Sequence, residues 1–183
     1  MNWIRIGKSL ILAAVFSIGS ALSSMAYFDY NQAADEVTME PMTAYTVYLA
    51  MPKTDFGGNF SILPDWKYYK GQGDSEKAER EYTRDGVYML EGLEIKAPVK
   101  SWGQRVVEFD NYFKTNDKKI ARSMYQRMLQ TLWAGMDEPV VQKEDYAQWS
   151  QDNFAMALQL SYDKTAGQYL ILLRRYNTDY VSA

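Results

Sequence analysis

The sequence predicts a single α+β domain, in which one long amphipathic helix packs across an antiparallel sheet of about four to six strands and two lesser helices accompany it. Three stretches of the 183-residue chain support this prediction. Residues 154–162 alternate large and small side chains, as a strand with two unlike faces does. Residues 168–176 return after a turn-forming segment, and residues 117–135 carry apolar side chains at helical spacing. The first two stretches predict a β-hairpin, and the third predicts the helix that covers it.

The predicted hairpin is the segment around which the other elements are arranged. One side of its first strand carries Ala155 and Ala157, a smooth surface that would let a helix approach closely. The return strand contains the continuous apolar run 169–173, which is typical of a central strand covered on both faces. Arg174 and Arg175 follow this run, and we expect them to point to water.

Residues 1–26 have the features of an export signal. Two basic residues come early, an apolar stretch follows, and the small residues Ser24 and Ala26 form a cleavage site. We predict a signal peptide cleaved after Ala26, with residues 27–183 as one globular domain in the periplasm or outside the cell. The alternative is an uncleaved inner-membrane anchor over residues 9–26, a charge-free stretch at the lower limit of what spans a bilayer.

Composition excludes several classes of protein. The predicted signal contributes two of the 20 basic residues and none of the 23 acidic ones, which leaves a net charge of about −5 and argues against nucleic-acid binding. The chain has no Cys, so disulfides and thiolate metal sites are excluded. An exported chain without disulfides suits a bacterial periplasm, and its stability must come from its core.

The first part of the domain predicts a short helix over residues 31–37 and a strand over 44–51 that ends at a proline. Residues 53–73 contain four glycines and a proline, which indicate a loop, although aromatic side chains are dense there. A long structureless loop in a compact domain is usually functional or disordered, and so many aromatic side chains argue against disorder. The aromatic residues of this segment that we consider for binding are Phe56, Phe60, Trp66, Tyr68 and Tyr69.

Two interpretations of this aromatic segment remain open. We favour rings that fold back as a lid on the core, with an irregular edge strand within residues 62–69, because buried aromatics are common. The functional interpretation is that Trp66, Tyr68 and Tyr69 present their rings to a partner or to a sugar-like ligand.

The middle of the chain predicts one helix and two strands. Residues 74–84 are rich in charges at i, i+4 spacing and predict a solvated surface helix. Residues 87–96 predict a strand in which Glu91 shares the apolar face, so this carboxylate needs a partner or an edge position. Residues 101–109 predict a second strand that pairs antiparallel with the first.

The remaining helices lie between that strand pair and the hairpin. Residues 117–135 form the strongest helical pattern, with Asn116 as its cap and a wide stripe of Met, Leu and aromatic side chains that we expect to pack on the sheet. Residues 143–151 predict a short helix that leads into the hairpin.

Catalytic motifs do not emerge from the sequence. The chain has no His, which excludes Ser-His-Asp triads and His-ligated zinc. The match of Ser161 and Lys164 to a Ser-x-x-Lys motif spans a strand end and a turn and lacks companion motifs. Glu108, Asp110 and Glu91 are the carboxylates that a glycan hydrolase could use, although solvated carboxylates are expected by chance in so acidic a chain.

The sequence therefore predicts a non-enzymatic interaction protein without cofactor or metal. We expect an inhibitor, an immunity-type protein or an envelope-assembly factor that uses the aromatic segment to bind an envelope or exported protein. The alternative is a small-ligand or glycan-binding module, and the second alternative is a carboxylate-dependent glycan hydrolase. Membrane contact is expected only through an uncleaved N-terminal segment, and the predicted binding residues are those of the aromatic segment given above.

Overall fold

The computed structural model describes residues 29–71 and 73–181, which form an α+β structure with one large antiparallel sheet. The predicted signal peptide, residues 1–26, lies outside the described residues. The helices are α1 (Tyr30–Thr38), α2 (Lys53–Phe60) and α3 (Lys118–Met136). The strands are β1 (Thr43–Ala44), β2 (Val47–Tyr48), β3 (Lys67–Tyr69), β4 (Ser75–Arg84), β5 (Val87–Lys96), β6 (Glu108–Thr115), β7 (Val141–Lys143), β8 (Tyr146–Gln151), β9 (Phe154–Asp163) and β10 (Gln168–Asn177).

The sheet has eight strands in the order β3-β4-β5-β6-β10-β9-β8-β7, and every neighbouring pair is antiparallel. β1 and β2 pair with each other in a separate small hairpin. The predicted sheet of about four to six strands is therefore too small, because segments predicted as helix or loop add strands at both edges. Among the described helices, none has the length and hydropathy that crossing a membrane requires.

The predicted hairpin is confirmed as β9 and β10. Asp163 starts its turn by accepting hydrogen bonds from the backbone N–H groups of Thr165 at 2.8 Å and Ala166 at 3.1 Å. Gly167 follows with a φ of +66°, a conformation that favours glycine. β10 lies between β6 and β9, so its predicted central position is also confirmed.

All three described helices lie on one face of the sheet. Met156, Leu158 and Leu160 of β9 pack beneath α3, whereas Ala155 and Ala157 point to the opposite face. The expectation that a helix approaches the alanine side is therefore wrong, because the large side chains of β9 bury more apolar area against α3 than the alanines could. We call the side of the sheet that carries these alanines the open face.

The core consists of two clusters on the covered face. One lies beneath α1 and α3 and includes Met124, Met128 and Leu132 of α3, which confirms that the apolar stripe of this helix packs on the sheet. The other lies beneath α2 and the small β1–β2 hairpin. The helices therefore cover most of the width of one face of the sheet. The surface of the open face is formed by side chains of the strands themselves.

The start of α3 is set by local hydrogen bonds. Asp117 caps the helix by accepting from the backbone N–H of Lys119 at 2.7 Å and of Ile120 at 3.1 Å, so Asn116 is not the cap that the sequence predicts. Asn116 instead ties the helix start to the β4–β5 turn, since it accepts from Tyr88 N–H at 3.0 Å and donates to the Gly86 carbonyl at 3.1 Å.

The short helix predicted over residues 31–37 is confirmed as α1.

Ser75–Arg84 form β4, where the sequence predicts a helix over residues 74–84. Their charges alternate between the two faces, so Arg80 meets Glu91 across the covered face and Lys77 bonds Glu79 on the open face at 3.0 Å. The i, i+4 pairs of the predicted helix are replaced by these contacts. Tertiary pairing with β5 along ten residues outweighs the weak helical propensity of the segment.

Three other predictions also differ from the structure. Residues 44–51 hold only the short β1 and β2, since Tyr45 and Ala50 have positive φ angles of 55° and 70°. Residues 101–107 form a turn with positive φ angles, and β6 begins at Glu108, although it pairs antiparallel with β5 as predicted. Residues 143–151 form most of the β7–β8 hairpin in place of the predicted helix, because Ala147 and Trp149 bury one face of a strand.

Arg175 is fully buried and does not return to water as expected. Its guanidinium donates to the carbonyls of Val37 and Pro41 at the end of α1 and to Asn111 Oδ1 on β6, and it lies 4.8 Å over the ring of Phe109. Burial lowers the pKa of Arg175 to about 9. The cation satisfies carbonyls left free at a helix C-terminus, so it attaches α1 to the centre of the sheet.

On the open face, the ring of Tyr112 lies over Gly92, its neighbour on β5. A Cβ at Gly92 would lie 2.0 Å from Tyr112 Cζ. The Tyr112 hydroxyl continues past the glycine and donates to Glu79 Oε1 of β4 at 2.5 Å. Three neighbouring strands are thus joined by one side chain, and only glycine leaves room for it.

Candidate functional site

The predicted aromatic segment is largely part of the core. Residues 53–60 form helix α2 and not a loop, and Phe56 and Phe60 are 0% and 1% exposed, with ring centroids 4.7 Å apart. Trp66 packs edge-on against Phe60 at 5.1 Å and against Tyr45 at 5.5 Å. Gly57 allows the helix to approach the sheet closely, as a Cβ at this position would lie 2.9 Å from the hydroxyl oxygen of Tyr68.

Tyr68 and Tyr69 lie on the edge strand β3 and point to opposite faces. The Tyr68 hydroxyl donates to Glu76 Oε2 at 2.8 Å on the covered face, and burial, with this hydrogen bond, raises the pKa of Tyr68 to about 12. Tyr69 is 40% exposed on the open face, where Lys77 Nζ lies 4.9 Å from its ring centroid. Trp66, Tyr68 and Tyr69 therefore do not converge on one pocket. Whether this segment binds a partner stays a prediction.

Glu91 is a fully buried carboxylate at the centre of a polar cluster. Arg80, directly opposite on β4, donates from Nε to Glu91 Oε2 at 2.6 Å, and the Tyr45 hydroxyl donates to Oε1. The Arg80 guanidinium also lies over the rings of Trp66 at 4.7 Å and Tyr82 at 5.5 Å. Burial raises the pKa of Glu91, and the Arg80 charge opposes that rise. The prediction that Glu91 needs a partner is confirmed, and the cluster binds β4, β5 and the β1–β2 turn together.

Glu108 and Asp110 lie side by side on the open face of β6. Glu108 accepts from Lys96 Nζ at 2.5 Å and from Arg174 Nη2 at 2.7 Å. Asp110 Oδ1 is buried without a hydrogen-bond partner among the described residues. Burial, and then the charge of Glu108, raises the pKa of Asp110 to about 7. Glu108 is thus held by two cations, whereas burial and the charge of Glu108 favour the protonated form of Asp110.

The most exposed large aromatic side chain lies outside the predicted segment. Residues 97–107 connect β5 to β6, and we call them the Trp102 loop. Trp102 is 78% exposed and Val99 is 74% exposed, the largest values among the tryptophans and valines of the described residues. The sequence predicts a strand over residues 101–109, and that strand pattern gives no indication that Trp102 is exposed. The available signal was the position of Pro98 and Gly103 on either side of two large apolar residues.

The Trp102 loop is held in place from several directions. The buried Ser101 hydroxyl contacts the carbonyls of Pro98 at 2.6 Å and Arg105 at 2.8 Å, bridging the base of the loop. Backbone hydrogen bonds join residues 104–106 to residues 50–53. The Arg105 side chain donates to the Ala50 carbonyl at 2.7 Å while its guanidinium lies 4.5 Å over the Trp102 ring. The exposed ring thus projects from an ordered base.

Two concave sites are also present in the described residues. A pocket of about 230 Å³ lies between the β4–β5 turn and the first turns of α1 and α3. Its lining residues are Tyr30, Tyr82, Arg84, Asp85, Val87, Met89 and Ile120. A shallower pocket of about 110 Å³ lies on the open face, above the alanine side of β9. Its lining residues are Tyr146, Ala157, Gln159, Leu172, Arg174 and Tyr176.

These features define an α+β protein whose eight-stranded antiparallel sheet carries helices on one face only, as far as residues 29–71 and 73–181 show. No protein-family model matches the chain, and neither a curated protein nor a solved structure is significantly similar to it. Its function is therefore inferred from the geometry of its own residues.

Proposed function

We propose that this protein is an exported, non-enzymatic interaction protein of the bacterial envelope that binds a protein partner through the Trp102 loop. The observation that supports the proposal is the exposure of Trp102 at 78%, beside Val99 at 74%, on a loop with an ordered base. Tryptophan is enriched among the residues that dominate binding energy at protein interfaces. A tryptophan ring that is this exposed to water does not stabilise the core by burial. A role in binding would explain its position.

The ordered base of the loop favours binding. A flexible loop loses conformational entropy when it binds, which weakens the complex. The contacts of Ser101 and Arg105 already restrict the backbone around Trp102 in the free protein, so little further ordering is needed. A partner pocket that accepts the ring would therefore gain most of the burial energy of a tryptophan side chain.

This proposal moves the binding surface away from the aromatic segment. Phe56 and Phe60 have almost no accessible area, and their burial supports a structural role for α2. Tyr69 is the member of that segment with a large exposed ring, and it remains available as a second contact. The proposed partner is a protein of the envelope or an exported protein. The Trp102 loop carries Lys100 and Arg105 and no acidic residue, which favours a partner with an acidic or neutral contact surface.

The test is affinity capture of the tagged full chain from its native cell envelope, followed by mass spectrometry. Three forms are compared: the unaltered protein, Trp102→Ala, and Trp133→Ala as a matched control, since Trp133 is an exposed tryptophan on α3. We expect one dominant partner that disappears with Trp102→Ala and is retained with Trp133→Ala.

The thermal midpoint of Trp102→Ala should lie within about 2 °C of the unaltered protein, since surface substitutions rarely change stability by more than about 0.5 kcal/mol. A partner that is captured equally by all three forms would refute the assignment of this loop. The absence of any specific partner would refute the proposed function itself.

A further inference from the structure

We infer that the partner segment bound by the Trp102 loop is acidic, and that one of its carboxylates pairs with Arg105 beside the Trp102 ring. This inference rests on the proposed function and narrows it, because it states the chemistry of the contact surface. The observation that points to a carboxylate is an arginine without an acidic partner, next to the most exposed tryptophan of the described residues.

Arg105 differs from the other arginines that the structure describes. Five of them form ion pairs with acidic side chains, and these are Arg80, Arg84, Arg122, Arg127 and Arg174. Arg175 is buried against backbone carbonyls and Asn111. Arg105 forms no ion pair with any described residue. In a chain with an excess of acids, this state favours a carboxylate supplied by another molecule.

The Arg105 guanidinium retains donors for such a carboxylate. Its Nη1 donates to the Ala50 carbonyl at 2.7 Å, and its Cζ lies 4.5 Å from the centroid of the Trp102 ring. The nitrogens Nε and Nη2 have no acceptor among the described residues. Two adjacent N–H groups on one side of a guanidinium bind both oxygens of a carboxylate. The bond to Ala50 already restrains this group, so a partner has little left to order.

The two segments at this end of the sheet carry basic residues and no acids. Residues 97–107 contain Lys100 and Arg105, and residues 41–54, which include the backbone partners of the loop, contain Lys53. Acids make up 23 of the 183 residues, so the local charge is opposite in sign to that of the whole chain. A positive contact site attracts an acidic partner and repels a basic one.

The flanking acids leave this positive charge in place. Glu108 follows the loop, and its two carboxylate oxygens are already bonded, one by Lys96 at 2.5 Å and the other by Arg174 at 2.7 Å. Asp74 contacts the loop through its backbone carbonyl, which accepts from the Ala97 N–H at 2.8 Å. Within the described residues, no acidic side chain forms an ion pair with a basic residue of the loop.

A protein segment fits this site better than an anionic membrane does. Proteins that bind anionic lipids through charge carry clusters of about four to eight Lys or Arg residues, whereas the Trp102 loop has two. The net charge of the chain is −3, so an anionic bilayer would repel the protein as a whole. An acidic protein segment can contact the loop alone, and an apolar side chain beside its carboxylate can cover Trp102 and Val99.

Selection of a random peptide library, displayed on phage, against the immobilised full chain tests this inference. We expect the recovered sequences to be enriched in Asp and Glu beside apolar residues, and we expect Trp102→Ala to lose them. The most frequent sequence is then synthesised, and its dissociation constant is measured by fluorescence anisotropy. Replacing its acids by the corresponding amides should weaken binding at least about tenfold, the loss expected for a charge-assisted pair.

Variants of the two loop cations identify the group that holds the carboxylate. Arg105→Gln should weaken binding of the synthetic peptide at least about tenfold. Arg105→Lys should weaken it less, because lysine keeps the charge but lacks the paired donors. Lys100→Glu changes an exposed position and should weaken binding about threefold or more, mainly through slower association. Arg122→Gln is the matched control, since Arg122 is a half-exposed arginine on α3. Thermal unfolding confirms that each variant is folded.

The inference is overturned if no recovered peptide depends on Trp102, if the dependent peptides are neutral or basic, or if Arg105→Gln and Arg122→Gln bind the synthetic peptide alike. Trp102-dependent binding to phosphatidylglycerol vesicles, without binding to acidic peptides, would assign the loop to a membrane and overturn it as well. Arg105→Gln is also added to the affinity capture. A captured partner that needs Trp102 but not Arg105 would refute this inference and leave the proposed function intact, whereas the absence of any partner would refute the proposed function.

Discussion

Asp110→Asn is expected to stabilise the protein above neutral pH while changing its stability little in acid. In the folded chain, burial and the neighbouring Glu108 raise the pKa of Asp110 from an ordinary value of 3.8 to about 7. Between these two values the folded state holds a proton that the unfolded state has released, so the stability contributed by this group falls as pH rises. The asparagine amide carries no charge at any pH, and therefore this loss is absent from the variant.

The size of the effect follows from the two pKa values. Their difference corresponds to about 4 kcal/mol, at about 1.4 kcal/mol per pH unit, and this is an upper limit because the carboxyl retains some contact with water. For a domain of roughly 150 residues, each kcal/mol moves the thermal midpoint by about 2 to 4 °C. Asp110→Asn should thus raise the midpoint at pH 8 by at most about 8 to 16 °C.

Urea unfolding followed by tryptophan fluorescence, at several pH values from 4 to 8, measures this difference directly. Glu81→Gln is the matched control, because Glu81 is an exposed acid on the same face of the sheet. At each pH, the free energy of unfolding of the unaltered protein is subtracted from that of the variant. This difference removes the contribution of all other titrating acids. A difference for Asp110→Asn that stays constant with pH, or that becomes destabilising at pH 8, would refute the reasoning.

Three further predictions concern the packing of the two faces of the sheet and are checked by the same unfolding measurement. Phe56→Ala should lower the free energy of unfolding by about 3 to 5 kcal/mol, whereas Tyr69→Ala should change it by less than about 1 kcal/mol, and equal losses would contradict the assigned burial. Arg80→Met should cost about 3 to 5 kcal/mol because it leaves Glu91 buried without its cation, and replacing both residues by Met should restore most of that loss. Gly92→Ala should cost at least about 1 to 3 kcal/mol, since its Cβ would overlap a neighbouring ring, and a neutral result would contradict the described packing.

Much of the fold follows from strong local patterns in the sequence. The alternation in residues 154–162 continues over several two-residue repeats, so the hairpin is predictable. The apolar stripe in residues 117–135 continues over several helical turns, so α3 is predictable as well. Residues 74–84 are different, because their charges fit a helix by i, i+4 spacing and a strand by alternation. The adjacent strand β5 decides between the two, and the signal that the sequence offered was Asp85-Gly86, whose positive φ angles of 52° and 80° form the tight hairpin turn between β4 and β5.

The candidate site was less predictable than the fold. The aromatic density of residues 53–73 is visible in the sequence, but the direction of each ring depends on α2, whose two glycines suggest a loop, and on the short strand β3. The exposure of Trp102 depends on a turn that interrupts a β-favouring stretch. The shallow pocket on the open face exists because three strands, β8, β9 and β10, align in one register, and this alignment follows from the whole sheet.

The contact of Tyr112 across Gly92 to Glu79 also constrains how this chain can evolve. A mutation that adds a side chain at 92 collides with the ring, and a mutation that shortens the residue at 112 leaves the carboxylate at 79 without its hydroxyl partner. The three positions are therefore inherited as a unit, and a lineage can leave this combination only through a weakened intermediate or through coordinated changes. In an alignment of homologous chains, glycine at 92 should accompany a large aromatic residue at 112, and chains with a larger residue at 92 should carry a small one opposite.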